Sequence, residues 1–98
     1  MAEWYRRAGF EVVGRNWRCR EGELDVIASN GTTVVFCEVK SRSSSAFADP
    51  RLAVDHRKQA KVRRAALRWL DSQRWHRHLR FDVATVVGSD ITVIEDAF

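Results

Sequence analysis

The chain has 98 residues, of which 45% are apolar and 31% charged, so it suits one small globular domain, spanning 1–98, and leaves no room for a second core. Seventeen Lys and Arg stand against thirteen acids, a net charge of +4 that favours acidic partners, nucleic acid first among them. Two cysteines, Cys19 and Cys37, make neither a disulfide framework nor a Cys-x-x-Cys metal motif, and no apolar stretch approaches the ~20 residues of a membrane span, so the expectation is a cytoplasmic protein away from membranes.

Residues 2–8 read as the end of a helix stopped by Gly9. Phe10 to Trp17 alternates loosely and suggests a strand, with Val12 and Val13 contributing to the core. Arg15, Arg18 and Arg20 are interleaved there with Asn16, Trp17 and Cys19. Arginine meets phosphate and tryptophan stacks on bases, so the segment suits a nucleic-acid surface; it equally suits an exposed strand end with Trp17 over the core edge. Glu23–Ala28 and Thr33–Lys40 are the clearest strands, and the Asn30-Gly31 pair between them is a strong hairpin signal. Ser41 to Ala48 is rich in small residues and reads as a linker or a mobile flap.

Asp49-Pro50 suggests a turn, and Asp55 is placed to cap a helix running to about Ser72. Val62, Ala65, Ala66, Trp69 and Leu70 form its core-facing stripe, while Arg57, Lys58, Lys61, Arg64 and Arg68 fall mostly elsewhere. Arg57, Lys58 and Lys61 near its start are candidates for tracking phosphates. Arg80–Val87 is a further strand, and a turn at Gly88-Ser89-Asp90 leads to a last one at Ile91–Ile94. His76 and His78 form a His-x-His without a third ligand and read as a solvated basic loop. Asp82, mid-strand among apolar residues, calls for a structural partner such as an arginine.

Strand side chains alternate, so Val34, Phe36, Glu38 and Lys40 share one face, and Glu23 and Asp25 share a face of the preceding strand. A hairpin loop with an even number of residues puts Asp25 and Glu38 on the same side. A four-residue loop, 30–33, sets them directly opposite; a two-residue loop sets them on a diagonal. Two neighbouring carboxylates repel unless a cation lies between them, and their oxygens suit Mg²⁺ or Mn²⁺. Lys40 is placed to orient a water or to offset phosphate charge. One metal, two acids and one ammonium are the parts that phosphodiester hydrolysis requires. The competing reading is a hairpin with exposed alternating charge, Lys40 paired to Glu38 or Glu23.

The segments Arg15-Asn16-Trp17-Arg18-Cys19-Arg20, Gly22-Glu23-Leu24-Asp25-Val26-Ile27-Ala28 and Val35-Phe36-Cys37-Glu38-Val39-Lys40-Ser41-Arg42 resemble the YraN-like family. The similarity continues through Ala53-Val54 to Leu70, Arg80-Phe81-Asp82-Val83 and Ile94-Glu95-Asp96-Ala97-Phe98. That is a family of predicted endonucleases similar to Holliday junction resolvases within the PD-(D/E)xK superfamily. The resemblance implies an α/β, restriction-endonuclease-like fold: a central mixed β-sheet flanked by helices, in the order α-β-β-β-α-β-β. It implies that Asp25, Glu38 and Lys40 are catalytic, that Asp25, Glu38 and the Val39 carbonyl hold Mg²⁺ or Mn²⁺, and that Glu23 supports the ligands from behind. It also places Lys58 and Gln59 near a DNA substrate, branched or damaged DNA included. With Arg15, Arg18, Arg20, Arg42, Arg57 and Lys61 they make up the expected nucleic-acid surface, DNA rather than RNA. Junction-cutting relatives suggest a homodimer by analogy. Relatives open upstream with a longer first helix bearing a Gly-Glu pair, so the first helix here is expected to be shortened: either the true start lies further upstream, or the chain is a shortened form, or the site lacks one acid. A module that binds nucleic acid without cutting it is the alternative function, and a small protein-binding domain a third.

Overall fold

A computed structural model describes residues 1–42, 54–73 and 78–98, without the side chain of Arg42. A short helix, α1 (Ala2–Arg7), gives way at Gly9, whose φ of 91° a side chain would resist. Three strands follow: β1 (Glu11–Cys19), β2 (Gly22–Ser29) and β3 (Thr33–Arg42). Helix α2 (His56–Asp71) then leads to β4 (His78–Val87) and β5 (Asp90–Ile94). The five strands form one sheet in chain order. β3 and β4 run parallel, because α2 carries the chain back between them, and the other neighbours are antiparallel. The mixed sheet flanked by two helices is the architecture expected from the sequence.

The two helices cover opposite faces. On one, Leu24, Ile27, Val34 and Phe36 pack against Val62, Ala65, Ala66, Trp69 and Leu70 of α2. On the other, Val26, Ala28, Val35, Cys37 and Ala84 pack around Tyr5 of α1. Burial on both faces is why β3 reads as the unbroken apolar run Val34-Val35-Phe36-Cys37. Trp69 is a core residue, as its helical spacing suggests, set edge-on to Phe36 with ring centroids 5.9 Å apart. Asp82, fully buried, accepts from Tyr5 Oη at 2.7 Å, from Arg80 Nε and Nη2 at 2.9 and 3.0 Å, and from the Asp96 N–H at 3.0 Å. It is the structural carboxylate its surroundings call for, joining α1, β4 and the segment after β5.

The hairpin between β2 and β3 turns at Asn30-Gly31. The Asn30 side-chain oxygen accepts from the N–H groups of Thr32 and Thr33, and Gly31 takes a φ of 94°. Ser29 pairs with Val34, so residues 30–33 form the four-residue connection.

Two expectations are corrected. Val13 is not a core residue but 42% exposed, because its neighbour Val12 takes the inward place in β1 and leaves Val13 on the other side. Ser41 and Arg42 belong to β3 rather than to a loop, since parallel pairing with β4 continues to Arg42 and Val87. The rest of that small-residue segment, the turn at Asp49-Pro50, and His76 lie outside the described residues. His78 opens β4 and is exposed. No helix among the described residues is long and apolar enough to cross a membrane.

Candidate functional site

The geometry of the site begins with an irregularity in the β1–β2 ribbon. Leu24 and Val26 are two residues apart and in a regular strand would share a face. Instead Leu24 packs against α2 and Val26 against the α1 side. In β1 the consecutive residues Arg15 and Asn16 are both exposed, and Asn16 has a left-handed φ of 49°. Arg15 pairs with Val26 and Trp17 with Leu24, so the pairing offset does not change and Asn16 lies opposite Asp25. The ribbon turns over at this pair without slipping register.

Asp25 thus sits where the strand changes face. The β2–β3 pairing ends at Val26 and Cys37, and just beyond it the Asp25 Oδ2 accepts the N–H of Val39 at 2.9 Å. A carboxylate takes the place of a ladder partner in the seam between the strands. Asp25 also lines an open cleft of about 380 Å³ with Val26, Val39, Arg15, Asn16, Met1 and Ala2.

Glu38 is next to this seam and almost wholly buried, at 1% exposure. Its Oε1 lies 3.4 Å from the Nζ of Lys58 on α2, while Oε2 is buried with no hydrogen-bond partner among the described residues. Burial raises the Glu38 carboxyl above the ordinary range, and the negative charge of Asp25 raises it further; Lys58 and the backbone N–H of Asp25 pull the other way. The two carboxylates are close enough to sense one another.

The expectation that Asp25, Glu38 and Lys40 project from one surface therefore needs correcting. The even-numbered connection does place Asp25 opposite Glu38 in register. Glu38 and Lys40 stay in phase with Val34 and Phe36 on the α2 side. The turnover at Asn16 takes Asp25 out of that face and into the seam, so the two acids meet across the opening between β2 and β3. Among the described residues no group of three or more His, Cys, Asp or Glu side chains gathers around a metal position. What is present is a pair of acids, with Val39 between them and hydrogen-bonded to one.

The other candidate residues are placed variously. Glu23 pairs with Arg18 across the ribbon, Oε2 to Nε 2.9 Å, which occupies both. Arg15 reaches the cleft and Arg20 is exposed near the tip of the ribbon. The Gln59 side chain donates to the Val54 carbonyl at 3.1 Å, securing the entry to α2. Arg57 and Lys61 are exposed, and Lys61 packs near Gly22 at the ribbon tip. Arg64 and Arg68 are exposed as well, so Arg57, Lys61, Arg64 and Arg68 form one stripe along α2. Sequence reasoning does not single out Asn16 as a site residue. Its signal is two adjacent polar residues interrupting the alternation of a strand. Nor does it find Lys58 as the partner of Glu38, a pairing made only across the fold.

Comparison with known proteins bears on this constellation. The sequence pattern of the family described as "Uncharacterised protein family UPF0102" matches residues 1–86. The chain belongs to the UPF0102 (YraN-like) family. It is 52% identical over 85 residues to a UPF0102 protein of Beutenbergia cavernae, covering 86% of this chain and 72% of that one. To a UPF0102 protein of a Parafrankia species it is 49% identical over 82 residues, covering 80% and 67%. With a UPF0102 protein of Syntrophus aciditrophicus it shares 41% identity over 102 residues, covering 99% and 80%. The family match takes in the ribbon, the hairpin, α2 and most of β4, and with them Asn16, Asp25, Glu38, Lys40 and Lys58.

Proposed function

We propose that this UPF0102 chain is a metal-dependent endonuclease-like protein acting on DNA by phosphodiester hydrolysis, with branched or damaged DNA as the substrate class. The observation that carries the reading is the buried Glu38 oxygen without a partner among the described residues, beside a second carboxylate where the β2–β3 ladder opens. A buried carboxylate that is only half neutralised is costly in a purely structural role. A hard divalent cation, Mg²⁺ or Mn²⁺, satisfies that oxygen and relieves the repulsion with Asp25.

Asp25, Glu38 and the Val39 carbonyl would hold the ion, which supplies positive charge for a phosphoryl oxygen and lowers the pKa of water. Asp25 is held in place by the Val39 N–H. Lys40, in phase with Glu38, orients the attacking water and offsets negative charge on the phosphate. Lys58 balances Glu38 from α2 and lies at the end of the basic stripe, so that it also meets an incoming phosphate. Arg15 stands at the cleft on the other side. Both cysteines are free thiols, in keeping with a cytoplasmic DNA-processing role.

Purified protein is to be incubated with Mg²⁺ or Mn²⁺ on junction, flap and linear DNAs. Metal-dependent products that disappear with Asp25→Ala and with Lys40→Ala are the expected result. Cleavage indifferent to both substitutions would sink the assignment. Salt-sensitive binding with no product under any ion would replace it with the non-cutting nucleic-acid module.

A further inference from the structure

Asp25 belongs to a strand, yet its carboxylate lies in the seam beside that strand. A regular β2 would point Asp25 to the same face as Ile27, perpendicular to the sheet and into the region of α2. It would also leave the Val39 N–H to an ordinary ladder partner. Three observations converge on the residue opposite. Asn16 has a φ of 49°, and the only other positive value at a non-glycine residue among the described residues is at Asp96, near the chain end. Asn16 is flanked by the pairs Arg15–Val26 and Trp17–Leu24, across which both strands change face with no change of offset. It lines the same cleft as Asp25 and Val39.

We infer that Asn16 is a positioning residue of the site: its left-handed backbone turns the ribbon over and delivers the Asp25 carboxylate to the Val39 N–H. Asparagine suits this position because, among residues with a Cβ, it enters the left-handed region with least resistance. A β-branched residue resists it most and drives the strand back towards regular pleating. A glycine at position 16 would serve the backbone equally well, which separates the backbone role from any interaction of the amide. The consequence for ion binding rests on the proposed function; the consequence for the Val39 hydrogen bond does not.

The test compares Asn16→Gly, Asn16→Ala and Asn16→Val in the full chain, reading the Val39 amide in a ¹H–¹⁵N spectrum and Mn²⁺ binding by titration. Asp25→Asn identifies the reporter, since weakening the acceptor must move the Val39 resonance. The expected order is Gly close to wild type, Ala displaced, and Val displaced furthest. Mn²⁺ affinity should fall alongside by roughly 10–100-fold, the usual range when a group that orients a metal ligand is removed. A purely structural strand residue would lower the melting temperature and leave the Val39 amide where it was. If the Val variant does not fold, the Ala variant carries the comparison. Two results overturn the inference: a folded Val or Ala variant with an unmoved Val39 resonance, or a Gly variant as impaired as Val. Failure of wild type to bind Mn²⁺ counts against the nuclease reading alone, and the amide shifts still decide the role of Asn16.

Discussion

Two buried acids among the described residues meet opposite conditions. Asp82 receives four hydrogen bonds from three residues and is fully satisfied. Glu38 has one lysine at 3.4 Å from Oε1, and its Oε2 has no hydrogen-bond partner among the described residues. Because burial and Asp25 raise its carboxyl, the folded protein holds the Glu38 proton more tightly than the unfolded chain does. The stability linked to that proton is complete below the unfolded value and declines as pH rises through the folded value. Glu38→Gln removes the dependence. Without added metal at neutral pH the variant should be more stable than wild type by about 1 kcal/mol, or ~4–8 °C in Tm for a domain of this size. The gap should close in acid below the usual carboxylate range, and excess Mg²⁺ or Mn²⁺ should stabilise wild type but not the variant. Thermal melts across pH, with and without metal, check each part. A variant less stable than metal-free wild type at neutral pH would mean that Lys58 already satisfies Glu38.

Among the elements, α2 carries the most information about the site. Asp55 caps it as the sequence suggests, its carboxylate accepting the Lys58 N–H at 2.8 Å. The first turn holds His56, Arg57 and Lys58 and no acid, against the preference of a helix start for negative charge. Glu38 compensates for that arrangement at Lys58, which links the hairpin to the helix start. Asp55→Ala should cost about 1 kcal/mol of stability in urea titration by removing the cap. A change near zero would show that the Gln59 bond to the Val54 carbonyl is enough to hold the helix entry.

For the whole molecule, α2 carries a row of exposed cations along one side. Arg57, Lys61, Arg64 and Arg68 recur at intervals of three and four residues, covering roughly 16 Å of α2 at 1.5 Å per residue. Arg68 is partly engaged by Glu21, Nε to Oε1 3.2 Å, which leaves Arg57, Lys61 and Arg64 as the stronger phosphate candidates. Lys61→Gln and Arg64→Gln should each lower the log–log salt slope of duplex binding by about 0.9 for every phosphate no longer neutralised. Fluorescence anisotropy over a salt series measures it. Unchanged slopes in both variants would mark the stripe as a solvated face and move the DNA path to the ribbon side, with Arg15 and Arg20.

Local rules account for most of the elements. Asn30-Gly31 specifies the hairpin, Asp55 the start of α2, and the spacing of Val62, Ala65, Ala66, Trp69 and Leu70 its buried face, because each depends on residues within a turn or two of chain. Glu38 and Lys40 are legible for the same reason, β3 being a regular strand. Asp25 is misplaced by the same kind of reasoning, since strand alternation holds only until a left-handed residue interrupts it; Val13 is misplaced because apolar character alone does not say which of two neighbouring strand residues faces the core. The order of elements, the family, and the acids and cations that neighbour one another along the hairpin can all be read from the chain alone. Three features emerge only once the chain is packed: Asp25 leaves its face for the seam, Lys58 comes across from α2 to Glu38, and one oxygen of Glu38 has no donor among the described residues. Those outcomes follow from burial and pairing between distant segments, which no local periodicity encodes.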